Sequence, residues 1–127
     1  MEPASADGLP NDVLIVEDDP IIALDFEDTI SGFGIAAVRT AGNVAMALSM
    51  IEQRRPDFAL LDVGLAREKS FEVAARLAAL DIPFVFVTGY GDRAVAGFAD
   101  RPRLPKPCSS EALLAVMQRL VGGKREA

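Results

Sequence analysis

The sequence contains no histidine and only one cysteine among its 127 residues. Without histidine, the chain cannot form a Ser-His-Asp triad or most zinc sites, and it cannot itself carry a phosphohistidine. A single cysteine excludes a disulfide within the chain, which fits a reducing compartment. Any metal site in this protein must therefore be built mainly from oxygen ligands.

Long apolar runs and an excess of basic residues are also absent. No run approaches the roughly 20 apolar residues that cross a bilayer, and the N-terminal residues lack the basic and apolar regions of a secretory signal. Lys and Arg number 13 against 19 Asp and Glu, so the formal net charge is -6, which disfavours non-specific nucleic-acid binding. We expect a cytoplasmic protein that inserts into no membrane and binds no nucleic acid.

Length and composition predict one globular domain. Half of the residues are apolar and a quarter are charged, which is ordinary for such a domain. A chain of this size buries roughly two thirds of its unfolded surface, enough for a core without metal or disulfide support. The ends are rich in small, polar, proline or glycine residues. We predict a loose leader at 1–11, a domain at 12–121 and a loose tail at 122–127.

Short apolar runs predict strands that are buried on both faces of a sheet. These runs lie at 13–16, 58–61 and 84–87, with a weaker one at 35–38. A fifth strand is expected near 101–104. Since Pro102 cannot donate to a strand ladder, this fifth strand belongs at the edge of the sheet.

Between the runs, apolar residues recur at helical spacing. Pro20 suits the first turn of the first helix, Gly32 and Gly34 end it, and Asn43 caps the second helix. Further helices are expected at 70–80, at 93–98 and from Ser109 or Ser110 onward. The inward stripe of the first helix is expected to be Ile22, Phe26, Ile30 and Phe33. Alternating strands and helices predict an α/β fold with a doubly wound parallel sheet and five helices.

Polar residues follow the runs at the carboxyl ends of the strands, where ligands bind in open α/β sheets. They are Glu17 and Asp18, Asp62, Thr88 and Lys106. The carboxylates repel one another, and an all-oxygen ligand set favours a hard cation, Mg²⁺ or Mn²⁺. A lysine and a hydroxyl suit a phosphoryl group, for which Asp62 is the candidate nucleophile. The pattern predicts phosphoryl transfer.

Four segments, VLIVEDDP, FALLDVGL, FVTGYGD and LPKPCS, resemble the receiver domain of two-component response regulators over roughly residues 12–121. The resemblance implies a flavodoxin-like fold with strand order 2-1-3-4-5. It also implies Mg²⁺-dependent transfer of a phosphoryl group from a sensor-kinase histidine to an aspartate. By position, Asp62 matches the phosphoacceptor, Thr88 the switch hydroxyl and Lys106 the phosphoryl-binding lysine. The implied metal ligands are Glu17 (through water), Asp18, Asp62 and the backbone carbonyl of Gly64.

Three positions depart from the pattern of that family. Ala66 stands where proline is usual and Ser70 where glycine is usual, so the loop after the phosphoacceptor is expected to differ in shape. Arg103 stands where the family has an aromatic switch residue, so the usual inward turn of that aromatic cannot operate. Tyr90 is either a loop aromatic or a substitute reporter of phosphorylation. Cys108 is interpreted as a small apolar filler.

We therefore expect a single-domain response regulator that signals through phosphorylation-dependent protein contacts. It is expected to be no enzyme, although it assists its own phosphorylation and dephosphorylation. Its expected partners are a sensor histidine kinase or phosphotransfer protein and a downstream protein that the sequence does not identify. One alternative is a receiver-shaped scaffold whose contacts do not depend on phosphorylation. Another is a metal-dependent phosphohydrolase, which Gly64 disfavours because it occupies the place of the acid/base aspartate in many such enzymes.

Overall fold

Strands and helices alternate along the part of the chain that the structure, a computed structural model, describes: residues 9–63, 70–88, 102–105 and 108–122. The strands are β1 (Asp12–Val16), β2 (Ala37–Ala41), β3 (Phe58–Asp62), β4 (Phe84–Thr88) and β5 (Arg103–Pro105). The helices are α1 (Pro20–Ser31), α2 (Val44–Gln53), α3 (Phe71–Ala79) and α4 (Ser110–Met117). A π-helical turn, Gln118–Gly122, continues α4.

The five strands form one parallel sheet in the order β2-β1-β3-β4-β5. Each parallel connection must cross from one end of the sheet to the other, and helices make the crossings between the first four strands. The predicted α/β class and strand order are confirmed. The predicted helix at 93–98 lies outside the described residues, and the proposed domain limits stay predictions.

Two hydrophobic cores lie on opposite faces of the sheet. Helices α2 and α3 cover one face with Val44, Ala47, Ile51, Val73, Ala74 and Leu77. Helices α1 and α4 cover the other with Ile30, Leu113, Val116 and Met117. Along β1, Leu14 and Val16 face the first core while Val13 and Ile15 face the second, as the pleat of a strand requires. Since both faces are covered, the central strands read as unbroken apolar runs.

The prediction for β2 was wrong in its limits. The apolar run at 35–38 placed the strand too early, and β2 starts at Ala37 and continues through Arg39 and Thr40. β2 is an edge strand and is half-buried, so polar side chains are accommodated there. Ile35 precedes the strand and packs into the core.

The helix caps follow the sequence, and the last strand begins at Arg103, later than the expected start near 101. Asn43 caps α2 by accepting the N–H of Met46 at 2.8 Å, and Ser109 caps α4. Pro102 precedes the edge strand β5, and its carbonyl accepts the N–H of Phe86 at 3.1 Å, so the missing proline N–H is not needed. None of the helices in the described part of the chain has the length and apolar character of a membrane span.

Candidate functional site

Three carboxylates meet at the carboxyl end of the sheet. β1 runs directly into Glu17 and Asp18, and Asp62 is the last residue of β3. Because Val16 pairs with Leu61, the residues that follow them lie side by side on neighbouring strands. One carboxylate oxygen from each of the three residues lies within 4.8 Å of the others. We call Glu17, Asp18 and Asp62 the acidic cluster.

Backbone hydrogen bonds hold the segment between β1 and α1 in place. The N–H of Glu17 donates to the carbonyl of Ala41 at 3.0 Å, which extends the pairing with β2 by one residue. The Oε2 atom of Glu17 accepts the N–H of Asp19 at 3.1 Å. Asp19 caps α1, because its Oδ1 atom accepts the N–H groups of Ile21 at 2.9 Å and Ile22 at 3.3 Å. The carboxylate of Asp19 is therefore engaged in capping α1.

The acidic cluster is largely buried. Glu17 is 3% exposed, Asp62 is 5% exposed, and Asp18 is half-buried. Gathering buried carboxylates is unfavourable, because like charges repel and burial removes their hydration. A divalent cation between them offsets both effects. Since all three donors are hard oxygen atoms, the cluster fits Mg²⁺ or Mn²⁺.

Thr88 lies at the same end of the sheet. Val87 pairs with Asp62, and Thr88 is the next residue, paired with Pro105 of β5. The N–H of Val63 donates to the carbonyl of Val87 at 3.1 Å, which ties the residue after the cluster to β4. Thr88 is half-buried. The structure therefore places this hydroxyl on the strand next to the one that carries the candidate nucleophile.

Several predicted participants lie outside the described residues: Gly64, Ala66, Tyr90 and Lys106. In sequence, Lys106 directly follows β5. Their expected roles stay predictions. Arg103 is the first residue of β5, lies opposite Phe86 in the register and is exposed. Cys108 is half-buried.

One exposed apolar surface was missed by the sequence analysis. On α1, Ile21 is 79% exposed and Leu24 is 57% exposed. They line an open groove of about 340 Å³ together with Ile22, Asp25 and Asp28, and we call these five residues the α1 surface. The sequence held the signal, since Ile21 and Leu24 are apolar residues outside the predicted inward stripe of this helix.

The fold and the acidic cluster define the class of protein. The order of strands reverses between β1 and β3, and the cluster lies at the carboxyl ends of those two strands, which is the switch point where ligands bind in such sheets. This is a flavodoxin-like protein with a candidate cation site at its switch point. The response regulator receiver domain family matches residues 13–118. The chain belongs to this family, and the resemblance carried by the four sequence segments is confirmed.

Curated relatives are longer than this chain. The phyllosphere-induced regulator PhyR of Methylorubrum extorquens is 30% identical over 114 residues, covering 86% of this chain and 43% of the relative. The transcriptional regulatory protein PdtaR of Mycobacterium tuberculosis is 29% identical over 126 residues, covering 93% of this chain and 60% of the relative. The chain thus spans about half the length of these two proteins.

A solved structure of similar length also matches. The solution structure of SdrG from Sphingomonas melonis Fr1 is 43% identical in sequence, with a TM-score of 0.77. The match covers 89% of this chain and 97% of the SdrG chain. The similarity therefore extends over nearly all of that structure.

Proposed function

We propose that this chain is a phosphorylation switch in which Asp62 accepts a phosphoryl group from a histidine of a sensor kinase or phosphotransfer protein. The observation that carries the proposal is the convergence of three carboxylates, from the ends of two strands, within 4.8 Å at the switch point of the sheet. Glu17, Asp18 and Asp62 would hold Mg²⁺, with the backbone carbonyl of Gly64 as a further ligand. Membership of the receiver domain family supports this assignment.

The chemistry requires one bond to form and one to break. A carboxylate oxygen of Asp62 attacks the phosphorus atom, the P–N bond to the donor histidine breaks, and an acyl phosphate forms. Bound at the cluster, Mg²⁺ would neutralise charge on the phosphoryl oxygens. The Thr88 hydroxyl and the Lys106 ammonium would contact the same oxygens. Hydrolysis of the acyl phosphate by water restores Asp62.

This chemistry makes the chain a switch rather than an enzyme, because the chain itself is the molecule that is modified. The side chains around Asp62 assist both the arrival and the loss of the phosphoryl group. The output is a protein contact that depends on the phosphorylated state, made in the cytoplasm.

The direct test is the intact mass of the protein after incubation with acetyl phosphate, with and without Mg²⁺. We expect a gain of one phosphoryl group that requires Mg²⁺ and is absent in Asp62→Asn. A Mg²⁺ titration in the same buffer separates failure to bind the metal from failure to react. Neither a gain of mass nor Mg²⁺ binding would favour the scaffold whose contacts do not depend on phosphorylation.

We propose further that the phosphodonor protein contacts the α1 surface. Helix α1 begins two residues after Asp18 of the acidic cluster, so a donor that reaches Asp62 must cover this end of the molecule. The helix sequence contains three acidic residues and no basic one. A complementary partner surface therefore combines apolar side chains with Lys or Arg.

Substitutions of exposed apolar residues on opposite faces of the sheet test this contact. Ile21→Ser or Leu24→Ser should slow phosphotransfer about tenfold, the loss expected for a moderate interface residue. The donor is whichever histidine kinase of the source organism phosphorylates the wild-type chain fastest. Met46→Ser is the matched control, because Met46 is 44% exposed and lies on α2, across the sheet. Equal slowing by Met46→Ser, or slower reaction with acetyl phosphate, would argue against the contact.

A further inference from the structure

The N-cap of α3 differs from those of the other described helices. Asp19, Asn43 and Ser109 have extended backbones, with ψ of 113°, 172° and 157°, and each side chain accepts an N–H from the first turn of its helix. Ser70 is the N-cap of α3, but its φ of -81° and ψ of 15° are not extended and its side chain makes no capping hydrogen bond. A residue type that caps α4 in the usual way thus fails to cap α3.

The hydroxyl of Ser70 is also fully buried. The residue is 0% exposed, and its Oγ atom has no hydrogen-bond partner among the described residues. A buried hydroxyl in this state is unfavourable, and in native proteins such groups mark stored strain or a functional role. Alanine at this position would avoid the cost. A serine here is better explained if the hydroxyl is used in a second arrangement of the backbone.

An extended backbone at Ser70 would supply that arrangement. Ser109 accepts the N–H of Ala112, three residues later, at 3.0 Å. If ψ of Ser70 moved from 15° to the extended value of Ser109, its Oγ atom could accept the N–H of Val73 in the same way. The first N–H groups of a helix have no partner within the helix, so that donor is suitable. An extended Ser70 would therefore cap α3, whereas the observed backbone leaves α3 uncapped.

We propose that Ser70 is a latent N-cap, which caps α3 when a phosphoryl group and its cation occupy Asp62 and leaves α3 uncapped in the resting protein. This inference rests on the proposed function. Asp62 is 5% exposed, so it has little free space for added groups, and it lies at the end of β3, on the connection that leads to Ser70. At one end Val63 is tied to β4, and at the other end Val73 is buried in the core. Ser70 is the last residue before α3, and the proposal places the response to an occupied Asp62 at its backbone.

The test compares Ser70→Ala with Ser109→Ala, two identical changes at two N-caps. In the ligand-free protein, we expect Ser109→Ala to unfold at a lower urea concentration than wild type and Ser70→Ala to unfold at a higher one. With Mg²⁺ present, beryllium fluoride serves as the probe for an occupied Asp62. Ser70→Ala should lower the affinity for it about tenfold, which is about 1.4 kcal/mol, because the cap is lost only in the occupied state. Ser109→Ala should leave that affinity unchanged.

Hydrogen exchange supplies a readout that a purely structural role would not move. In wild type, the amide of Val73 should exchange about tenfold more slowly when beryllium fluoride and Mg²⁺ are bound, and this change should be absent in Ser70→Ala. The proposal would be overturned if Ser70→Ala bound beryllium fluoride with the wild-type affinity, or if binding slowed the exchange of Val73 in Ser70→Ala as much as in wild type. So would a loss of ligand-free stability equal to that of Ser109→Ala, since the hydroxyl would then already be stabilising. If wild type binds no beryllium fluoride, the proposed function fails instead, and the ligand-free comparison still shows whether Ser70 caps α3.

Discussion

The two ends of the sheet hold their acidic groups in opposite ways. At the amino end, Asp12 is 8% exposed and accepts hydrogen bonds from two arginines. The Nε atom of Arg39 lies 3.1 Å from Oδ1, and the Nε atom of Arg54 lies 2.6 Å from Oδ2. At the carboxyl end, the acidic cluster brings three carboxylates to within 4.8 Å of one another. Two arginines thus pair with one acid at the amino end, whereas three acids converge at the carboxyl end.

The contrast separates stability from function within one sheet. Arg39 also donates to the carbonyls of Met50 at 3.1 Å and Arg54 at 2.8 Å, at the C-terminus of α2, where a cation is favoured by the helix dipole. The amino end therefore joins β1, β2 and α2. The carboxyl end brings carboxylates together at an electrostatic cost that a bound cation would offset.

Neutralising one member of the acidic cluster should give the largest effect. We expect Asp18→Asn to lower the affinity for Mg²⁺ by roughly 100-fold, at least as much as loss of a residue supporting a metal ligand. Without Mg²⁺, the same variant should have a free energy of unfolding about 1 kcal/mol above that of wild type, because one repulsive charge is gone. Calorimetric titration with Mg²⁺ and urea unfolding without it measure the two effects.

The stabilising effect of Mg²⁺ on wild type sharpens this result. At a concentration of 100 times its dissociation constant, the metal should add about 2.7 kcal/mol to the free energy of unfolding, and Asp18→Asn should lose most of that gain. Asp25→Asn is the control, because Asp25 is an exposed acidic residue of α1 outside the cluster. An Asp18→Asn protein that keeps the wild-type affinity would show that the cluster is not a metal site.

Removing the acid at the amino end should lower the stability and leave the affinity for Mg²⁺ unchanged. Asp12→Ala should lower the free energy of unfolding by about 2 kcal/mol, chiefly because the largely buried Arg39 loses its carboxylate partner and keeps only its two carbonyl acceptors. Its affinity for Mg²⁺ should stay at the wild-type value. The measurements are urea unfolding and the same Mg²⁺ titration.

Arg54→Ala distinguishes the two ion pairs of Asp12. The side chain of Arg54 is 60% exposed, so its pair with Asp12 should contribute less than about 1 kcal/mol. Equal losses in Asp12→Ala and Arg54→Ala would show that the exposed pair dominates. A fall in Mg²⁺ affinity in Asp12→Ala would show that the two ends of the sheet are coupled.

The sequence predicted those parts of the fold that depend on local patterns. The central strands are buried on both faces, so they read as apolar runs, and Asn43 and Ser109 lie directly before apolar helical stripes. The limits of β2 were not predictable in this way, since β2 contains a charged residue, Arg39, whose partner Asp12 lies 27 residues away in sequence. Long-range ion pairs leave no periodic signal.

The candidate site likewise has features that the sequence predicted and features that depend on the three-dimensional structure. That Glu17, Asp18, Asp62 and Thr88 lie at one end of the sheet followed from their positions after apolar runs. The 4.8 Å separation within the cluster required the strand register. The uncapped state of Ser70 is a matter of one backbone angle, which composition and spacing do not encode.

The smallest expected effect concerns the backbone at the amino end. Asp81 follows α3 with a φ of +62°, where the N–H of Ile82 donates to the carbonyl of Leu77 at 2.9 Å. Glycine is preferred at this helix end, so Asp81→Gly should raise the free energy of unfolding by about 0.5 kcal/mol. Gly34 is the matched control, since its φ is +91° and an added Cβ atom would meet no other atom of the described residues. Gly34→Ala should lower the free energy of unfolding by about 1 kcal/mol. Neither change should alter Mg²⁺ affinity if the amino end governs stability alone, so a shift in that affinity would break the contrast between the two ends.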